Sequence, residues 1–250
     1  MALRRSLALF MLVLLVATIG HVEVSAKPAA RLLIPLYSCP SDESGSLWRA
    51  VEAAALQVNI TIIWGIICEE DDYRSALERL AAVGVSRLAY VATSDSARPL
   101  EELKARVDFY SGFSIDGIFF DEVSSDPSKW NYDEQIIEYA RSFPQVKRVV
   151  LNSPYADADF VRAMPADTVV VFENPFSDWE GFCTGEYAGI SPSHMAALIH
   201  HTPASLLKRA LDLASRRGIG YVYVTDRPWD QLPSYFQEEL GLVRLLSSGE

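Results

Sequence analysis

The sequence predicts a single α/β domain, a TIM-like (β/α)8 barrel, on three observations. Short apolar, β-branched runs alternate with amphipathic helical stretches, which is the pattern of repeated βαβ units and a parallel sheet. Eight such runs are present, where an open doubly wound sheet usually has about six and a glycine-rich first turn; no GxGxxG or GxxxxGKS string occurs. The 250 residues, less an N-terminal leader, also match the length over which an α/β barrel folds as one unit.

From the N-terminus, Arg4 and Arg5 precede an apolar run from Leu7 to Ile19, and Val24-Ser25-Ala26 follows where signal peptidase needs small residues. Residues 1–26 therefore read as a secretory signal peptide, the run being shorter than the ~20 apolar residues of a permanent span. The barrel domain is then 27–250, expected to be secreted or held at the cell surface, and not in the membrane once the signal is removed. Its first strand is Arg31 to Tyr37. The second, Ile60 to Ile66, is followed by a helix over Asp72 to Val83, with apolar positions at helical spacing and Gly84 as a stop. Arg87 to Thr93 forms the third strand, after which Pro99 opens a helix through Leu103 and Val107. Strands four to six are Ile115 to Asp121, Arg148 to Asn152 and Thr168 to Glu173. The seventh, Ala196 to His201, carries two histidines and is the least distinct. A helix from Ala204 to Arg217 then ends at Gly218, ahead of the eighth strand, Gly220 to Thr225.

The formal charge of −11 becomes −12 when Arg4, Arg5 and Glu23 leave with the signal. Nucleic acid and anionic membranes are bound chiefly by clustered Lys and Arg, so this balance argues against both as partners and favours a neutral or cationic one. Cys39, Cys68 and Cys183 allow one disulfide in an oxidising compartment. Cys39 and Cys68 each follow a strand by a few residues and would share one rim, which makes them the preferred pair. No CxxC or HxxxH spacing supports a metal site, and no cofactor motif is present, so neither metal nor cofactor is expected.

In such a barrel chemistry belongs at the C-terminal ends of the strands. Those ends carry Tyr37, Trp64, Tyr90 with Thr93, Asp121 with Glu122, Asn152, Glu173, His200 with His201, and Thr225 with Asp226. A carbohydrate site needs aromatic faces to stack on sugar rings and carboxyl groups to handle the glycosidic oxygen and the developing positive charge. The sharpest feature is Ile115-Asp116-Gly117-Ile118-Phe119-Phe120-Asp121-Glu122, an apolar strand running into two adjacent acids. Burying a carboxylate among Ile and Phe costs several kcal/mol unless it is paired or hydrogen-bonded, so these acids must face a cavity or water. Successive strand residues point to opposite sides, so Glu122 would join Asp121 only if the strand bends. Glu173 repeats the logic at the end of Thr168-Val169-Val170-Val171-Phe172. Asn152 lies between the two acids in barrel order and suits either a sugar hydroxyl or a carboxylate, or an ordinary Asn-Ser-Pro turn. Tyr37, Trp64 and Tyr90 are stacking candidates or core aromatics. Thr93, His200 and Asp226 complete the substrate-binding candidates, with a structural histidine and an Asp226–Arg227 ion pair as the alternatives.

These motifs resemble the spherulin-4 family, also called spherulation-specific family 4. The resemblance is carried by Ile34-Pro35-Leu36-Tyr37, Ala89-Tyr90-Val91-Ala92-Thr93 with Arg98-Pro99, Asp116-Gly117-Ile118-Phe119-Phe120-Asp121-Glu122, Leu151-Asn152 and Phe172-Glu173. It implies a TIM-like barrel and an endo-acting glycoside hydrolase that cuts galactosamine or N-acetylgalactosamine polymers, with Asp121, Glu122 and Glu173 as the catalytic acids. One departure is Ile63-Trp64-Gly65-Ile66-Ile67-Cys68-Glu69-Glu70-Asp71-Asp72, where many members carry an Asn-Pro stretch with glycines. An acidic loop there would suit a partly deacetylated, cationic amino sugar. The competing expectation is a non-catalytic polysaccharide-binding protein of a wall or spore coat. The intact acid set favours the enzyme.

Overall fold

The computed structural model describes residues 31–41, 45–63, 65–66 and 68–248. The signal-peptide expectation for residues 1–26 and the stacking role expected of Trp64 lie outside the described residues. Eight parallel strands, each paired with the next in chain order, close into a barrel. They are β1 (Arg31–Leu36), β2 (Val58–Ile63), β3 (Ser86–Ala92), β4 (Gly117–Asp121), β5 (Arg148–Asn152), β6 (Thr168–Pro175), β7 (Met195–His200) and β8 (Tyr221–Val224). A helix follows each strand: α1 (Gly45–Ala53), α2 (Glu70–Ala82), α3 (Leu100–Ser111), α4 (Trp130–Arg141), α5 (Ala158–Ala163), α6 (Phe176–Gly181), α7 (Leu207–Arg216) and α8 (Phe236–Ser248). The expected (β/α)8 barrel is the observed one.

The strand limits differ from the sequence expectation where a local feature overrides the apolar run. β2 starts two residues early and stops at Ile63, because Gly65 takes a left-handed conformation (φ 66°) that a strand cannot continue through. β6 runs on to Pro175 and slips register between Val170 and Phe172 against β7. That bulge sits two residues before Glu173, and bulges of this kind re-aim side chains beside active sites. Phe172 then packs outward on Trp179 and Phe182, with ring centroids 4.7 and 5.0 Å away, and Glu173 turns to the barrel interior.

The fourth-strand motif divides into a structural half and a chemical half. At its start, the Asp116 carboxylate accepts hydrogen bonds from the Arg87 backbone amide at 2.9 Å and from its Nε at 2.7 Å, while Arg87 also donates to the Leu77 carbonyl. Gly117 next to it has no room for a side chain, since a Cβ there would lie 2.0 Å from the Arg148 carbonyl oxygen. Across the same N-terminal end, Arg148 of β5 donates to the Tyr221 hydroxyl of β8 at 3.1 Å and spans the barrel floor.

The seam between β1 and β8 is the thinnest, with only Arg31 and Leu32 paired to Tyr221 and Val222. Further along, the Val224 amide lacks a strand partner on that side and donates instead to Oε1 of Glu239 on α8, at 2.9 Å. Glu239 is fully buried, and burial pushes its carboxyl up to about 8 against the opposing Val224 hydrogen bond. A raised folded-state pKa means that unfolding releases a proton above the ordinary glutamate range. This contribution to stability is therefore complete at acid pH and is lost as pH rises through about 8. Urea midpoints at pH 5 and pH 9 for wild type and Glu239→Gln should show a larger fall with pH in wild type. Equal falls would place the proton elsewhere.

Candidate active site

Four consecutive strands deliver one hydrogen-bonded cluster to the mouth of the barrel. Asp121 ends β4 and Asn152 ends β5, while Tyr90 and Glu173 come from β3 and β6. The Tyr90 hydroxyl donates to Asp121 Oδ2 at 2.6 Å, and Asn152 Nδ2 donates to Asp121 Oδ1 at 2.6 Å. The same Asn152 nitrogen also donates to Glu173 Oε2. Both amide hydrogens are thus used, one for each acid, and the opposite amide orientation would set oxygen against two carboxyls. Because both bonds leave one nitrogen, the two nearest carboxyl oxygens lie within about 5 Å of each other. Tyr37, at the end of β1, meets Tyr90 edge-on with ring centroids 5.9 Å apart, and Tyr90 stacks on Phe119 at 6.2 Å.

The electrostatics follow from this crowding. Burial raises the Glu173 pKa above the usual glutamate value; the Asn152 hydrogen bond pulls the other way, and the nearby Asp121 charge raises it further. Two carboxyls so close cannot both ionise easily, and Glu173 is the one equipped to keep a proton. Tyr37 and Tyr90 are both held well above the ordinary phenol range, first by burial and then by the same carboxylates, so they remain donors.

Glu122 leaves the strand on a turn that does not bring its carboxylate in beside Asp121. Its backbone is left-handed (φ 55°), its side chain is exposed, and its charge acts on the Tyr90 hydroxyl. Among the described residues its carboxylate joins no hydrogen bond of the Asp121 cluster. The preceding βα loop is also strained, with Ser94, Asp95 and Ser96 all left-handed at φ 55°, 58° and 51°. Such residues cost on the order of 1 kcal/mol each and persist only where their surroundings hold them. Thr93 donates to the Glu122 carbonyl at 2.6 Å and accepts from the Ser96 amide at 3.2 Å. Ser96 in turn donates to Asp133 Oδ1 at 2.6 Å and accepts from the Ser124 amide at 3.0 Å. Thr93 is fully buried, so it fastens the loop beneath Glu122 and does not face the mouth. Asp133, buried on α4, anchors this network, and burial raises its carboxyl to about 7 against the Ser96 hydrogen bond.

Two cavities lie near the C-terminal ends of other strands, one beside β3 and one over β7 and β8. One, of about 320 Å³, is walled by Tyr90, Gly65, Arg98, Arg106 and Tyr110. The other, of about 280 Å³, is walled by His200, Asp226 and Trp229 over the ends of β7 and β8. His200 is half-buried and edge-on to Trp229 at 5.8 Å, and burial, then the neighbouring His201, lowers its pKa. His201 is exposed and left-handed, and its imidazole meets that of His200 and lines the same cavity. Asp226 accepts from the Ser234 amide and hydroxyl at 2.9 and 2.6 Å and lies 3.9 Å from Arg227, so its carboxylate braces the loop as well as lining the cavity. Trp229 was legible as an aromatic after Arg227-Pro228 in the loop following the last strand, but lies beyond the strand ends from which candidates were taken. Asp133 gave no signal, because an acid within an amphipathic helix reads as solvated.

Cys39 and Cys68 form the expected disulfide, with Cα atoms 6.0 Å apart, and tie the loop after β1 to the loop after β2; Cys183 is free and exposed. Among the described residues no helix is long and apolar enough to cross a membrane.

Comparison with known proteins places this architecture. The family model of spherulation-specific family 4 matches residues 31–243. Spherulin-4 of Physarum polycephalum is 25% identical over 255 residues, covering 92% of this chain and 75% of its own. Among solved structures, Aspergillus clavatus Sph3, determined in complex with GalNAc, superposes with a TM-score of 0.75 at 20% identity, covering 86% of this chain and 98% of its own. A cyclic α-maltosyl-(1→6)-maltose hydrolase from Arthrobacter globiformis follows with a TM-score of 0.60 at 9% identity, covering 88% and 82%. Likenesses at such identities speak to the barrel, whereas the family model spans nearly the whole of it. The chain belongs to spherulation-specific family 4.

Proposed function

We propose that the protein is a secreted, endo-acting glycoside hydrolase that cleaves galactosamine- or N-acetylgalactosamine-containing polysaccharide with retention of configuration. The observation that carries this reading is the Asn152 amide bridging Asp121 and Glu173 at the barrel mouth. With their nearest oxygens no more than about 5 Å apart, the two acids leave less room than the ~6.5 to 9.5 Å that admits a water between the acids of inverting enzymes, which supports retention. Glu173, whose environment favours its protonated form, gives its proton to the glycosidic oxygen as the bond to the anomeric carbon breaks. Asp121 attacks that carbon, its charge steadied by Tyr90 and Asn152. Water then attacks the glycosyl-enzyme, the Glu173 carboxylate takes its proton, and Asp121 leaves unchanged. Glu122, exposed on its strained turn, supports the cluster from the rim. The cavities beside Tyr90 and over the ends of β7 and β8 offer room for further sugar units, which suits cleavage within a polymer.

The sugar class rests on family membership and on the GalNAc bound by the fungal relative. Export rests on the sequence of residues 1–26 together with the disulfide. Proton NMR of a defined N-acetylgalactosamine oligomer during digestion tests the stereochemistry. The anomer formed first should match the configuration of the cleaved bond. The opposite anomer would mean that water, not Asp121, makes the attack.

A further inference from the structure

The cavity beside Tyr90 has a charge that the rest of the chain does not lead one to expect. The net charge is −11, yet Arg98 and Arg106 both line this cavity, and neither is ion-paired among the described residues. Arg98 touches Ser94 Oγ at 3.5 Å, a long contact, and Arg106 is exposed. Arg98 also stands immediately before Pro99, the N-cap of α3, where the positive end of a helix disfavours a cation. The acids that follow β2 have an ordinary explanation by comparison. Glu70, Asp71 and Asp72 occupy the first turn of α2, where the helix dipole favours them, and Glu70 is 3.4 Å from Arg74. The acidic loop therefore needs no cationic sugar to account for it, whereas neither arginine forms an ion pair within 4 Å among the described residues.

Tyr90 connects this cavity to the reacting acids, because it lines the cavity and its hydroxyl holds Asp121 at 2.6 Å. A guanidinium presents paired donors that match the two oxygens of a carboxylate. We propose that the cavity bounded by Tyr90, Arg98 and Arg106 is an acidic-sugar subsite that takes a uronic acid of the polymer, adjoining the position where the hexosamine is cleaved. The substrate class would then be a mixed polymer of hexosamine and uronic acid. This deepens the glycosidase reading and rests on it for the neighbouring hexosamine position, but not for the binding of the acid itself.

Sodium glucuronate, glucose, sodium acetate and N-acetylgalactosamine are titrated separately into the full folded chain while the arginine side-chain Nε–Hε signals are followed by NMR. Wild type should bind glucuronate at least roughly tenfold more tightly than glucose or acetate, with saturable shifts at Arg98 and Arg106. The preference should vanish in Arg98→Gln/Arg106→Gln, whose fold is checked by its remaining amide spectrum. Equal binding of glucuronate and glucose, acetate matching glucuronate, or a preference that survives the double substitution would each overturn the subsite. Glucuronate bound with N-acetylgalactosamine unbound supports the subsite and tells against the hexosaminidase reading. The reverse pattern overturns the subsite alone.

Discussion

Replacing Glu173 by Gln should lower turnover of a polymeric substrate by about 10² to 10⁴-fold, the usual worth of a positioned general acid. Replacing Asp121 by Asn should cost more than about 10³-fold, the scale on which removal of a covalent nucleophile is felt. The two losses should differ in kind. An aryl glycoside with a good leaving group needs no proton, so its glycosylation step should be largely restored in Glu173→Gln and not in Asp121→Asn. The pH profile should separate them too. Glu173 must carry a proton, and burial together with the Asp121 charge raises its pKa, so activity should fall as pH rises through that raised value. In Glu173→Gln this alkaline limb should disappear. If the aryl substrate instead rescues Asp121→Asn, the roles of the two acids are exchanged.

The second large effect concerns folding. Gly117→Ala would place a Cβ 2.0 Å from the Arg148 carbonyl oxygen and 2.8 Å from Leu88 Cδ2, inside a closed barrel where two strands cannot move apart independently. A loss above about 4 kcal/mol is expected, a large part of the typical ~10 kcal/mol margin of a domain. Gly112→Ala is the matched control. Its φ is −77° and the nearest atom to an added Cβ is 3.4 Å away, so its stability should change by less than about 1 kcal/mol. Urea unfolding of the two variants reads the difference. Similar midpoints would mean that the β4–β5 contact yields more easily than a close-packed barrel should.

The barrel was legible because its strands are short, buried and β-branched, and the limits of β5 match the sequence expectation to the residue. Asp121, Asn152 and Glu173 were legible for a related reason. An apolar strand that ends abruptly in a polar side chain must offer that group a partner, and the three turn out to be partners of one another. What the sequence could not carry is contact across elements distant in the chain. Ser96 meets Asp133 across 37 positions, and nothing in either segment signals the other. Thr93 illustrates the same limit. It stands at a strand end, as a sugar-binding residue would, yet the left-handed turn after it draws its hydroxyl to the Glu122 carbonyl. The arginine-lined cavity was hidden because Arg98 and Arg106 sit on a helix start and a helix face, where single basic residues are commonplace.

The most direct test is the release of new reducing ends from a soluble N-acetylgalactosamine-containing polysaccharide by the purified protein, with Glu173→Gln of equal thermal stability alongside. Internal cleavage by wild type, with shortening chains and no early burst of monosaccharide, and at least about 10²-fold less by the variant, is the predicted result. No release by wild type, with both proteins binding the polymer equally, would contradict the account and leave a polysaccharide-binding barrel without hydrolytic activity.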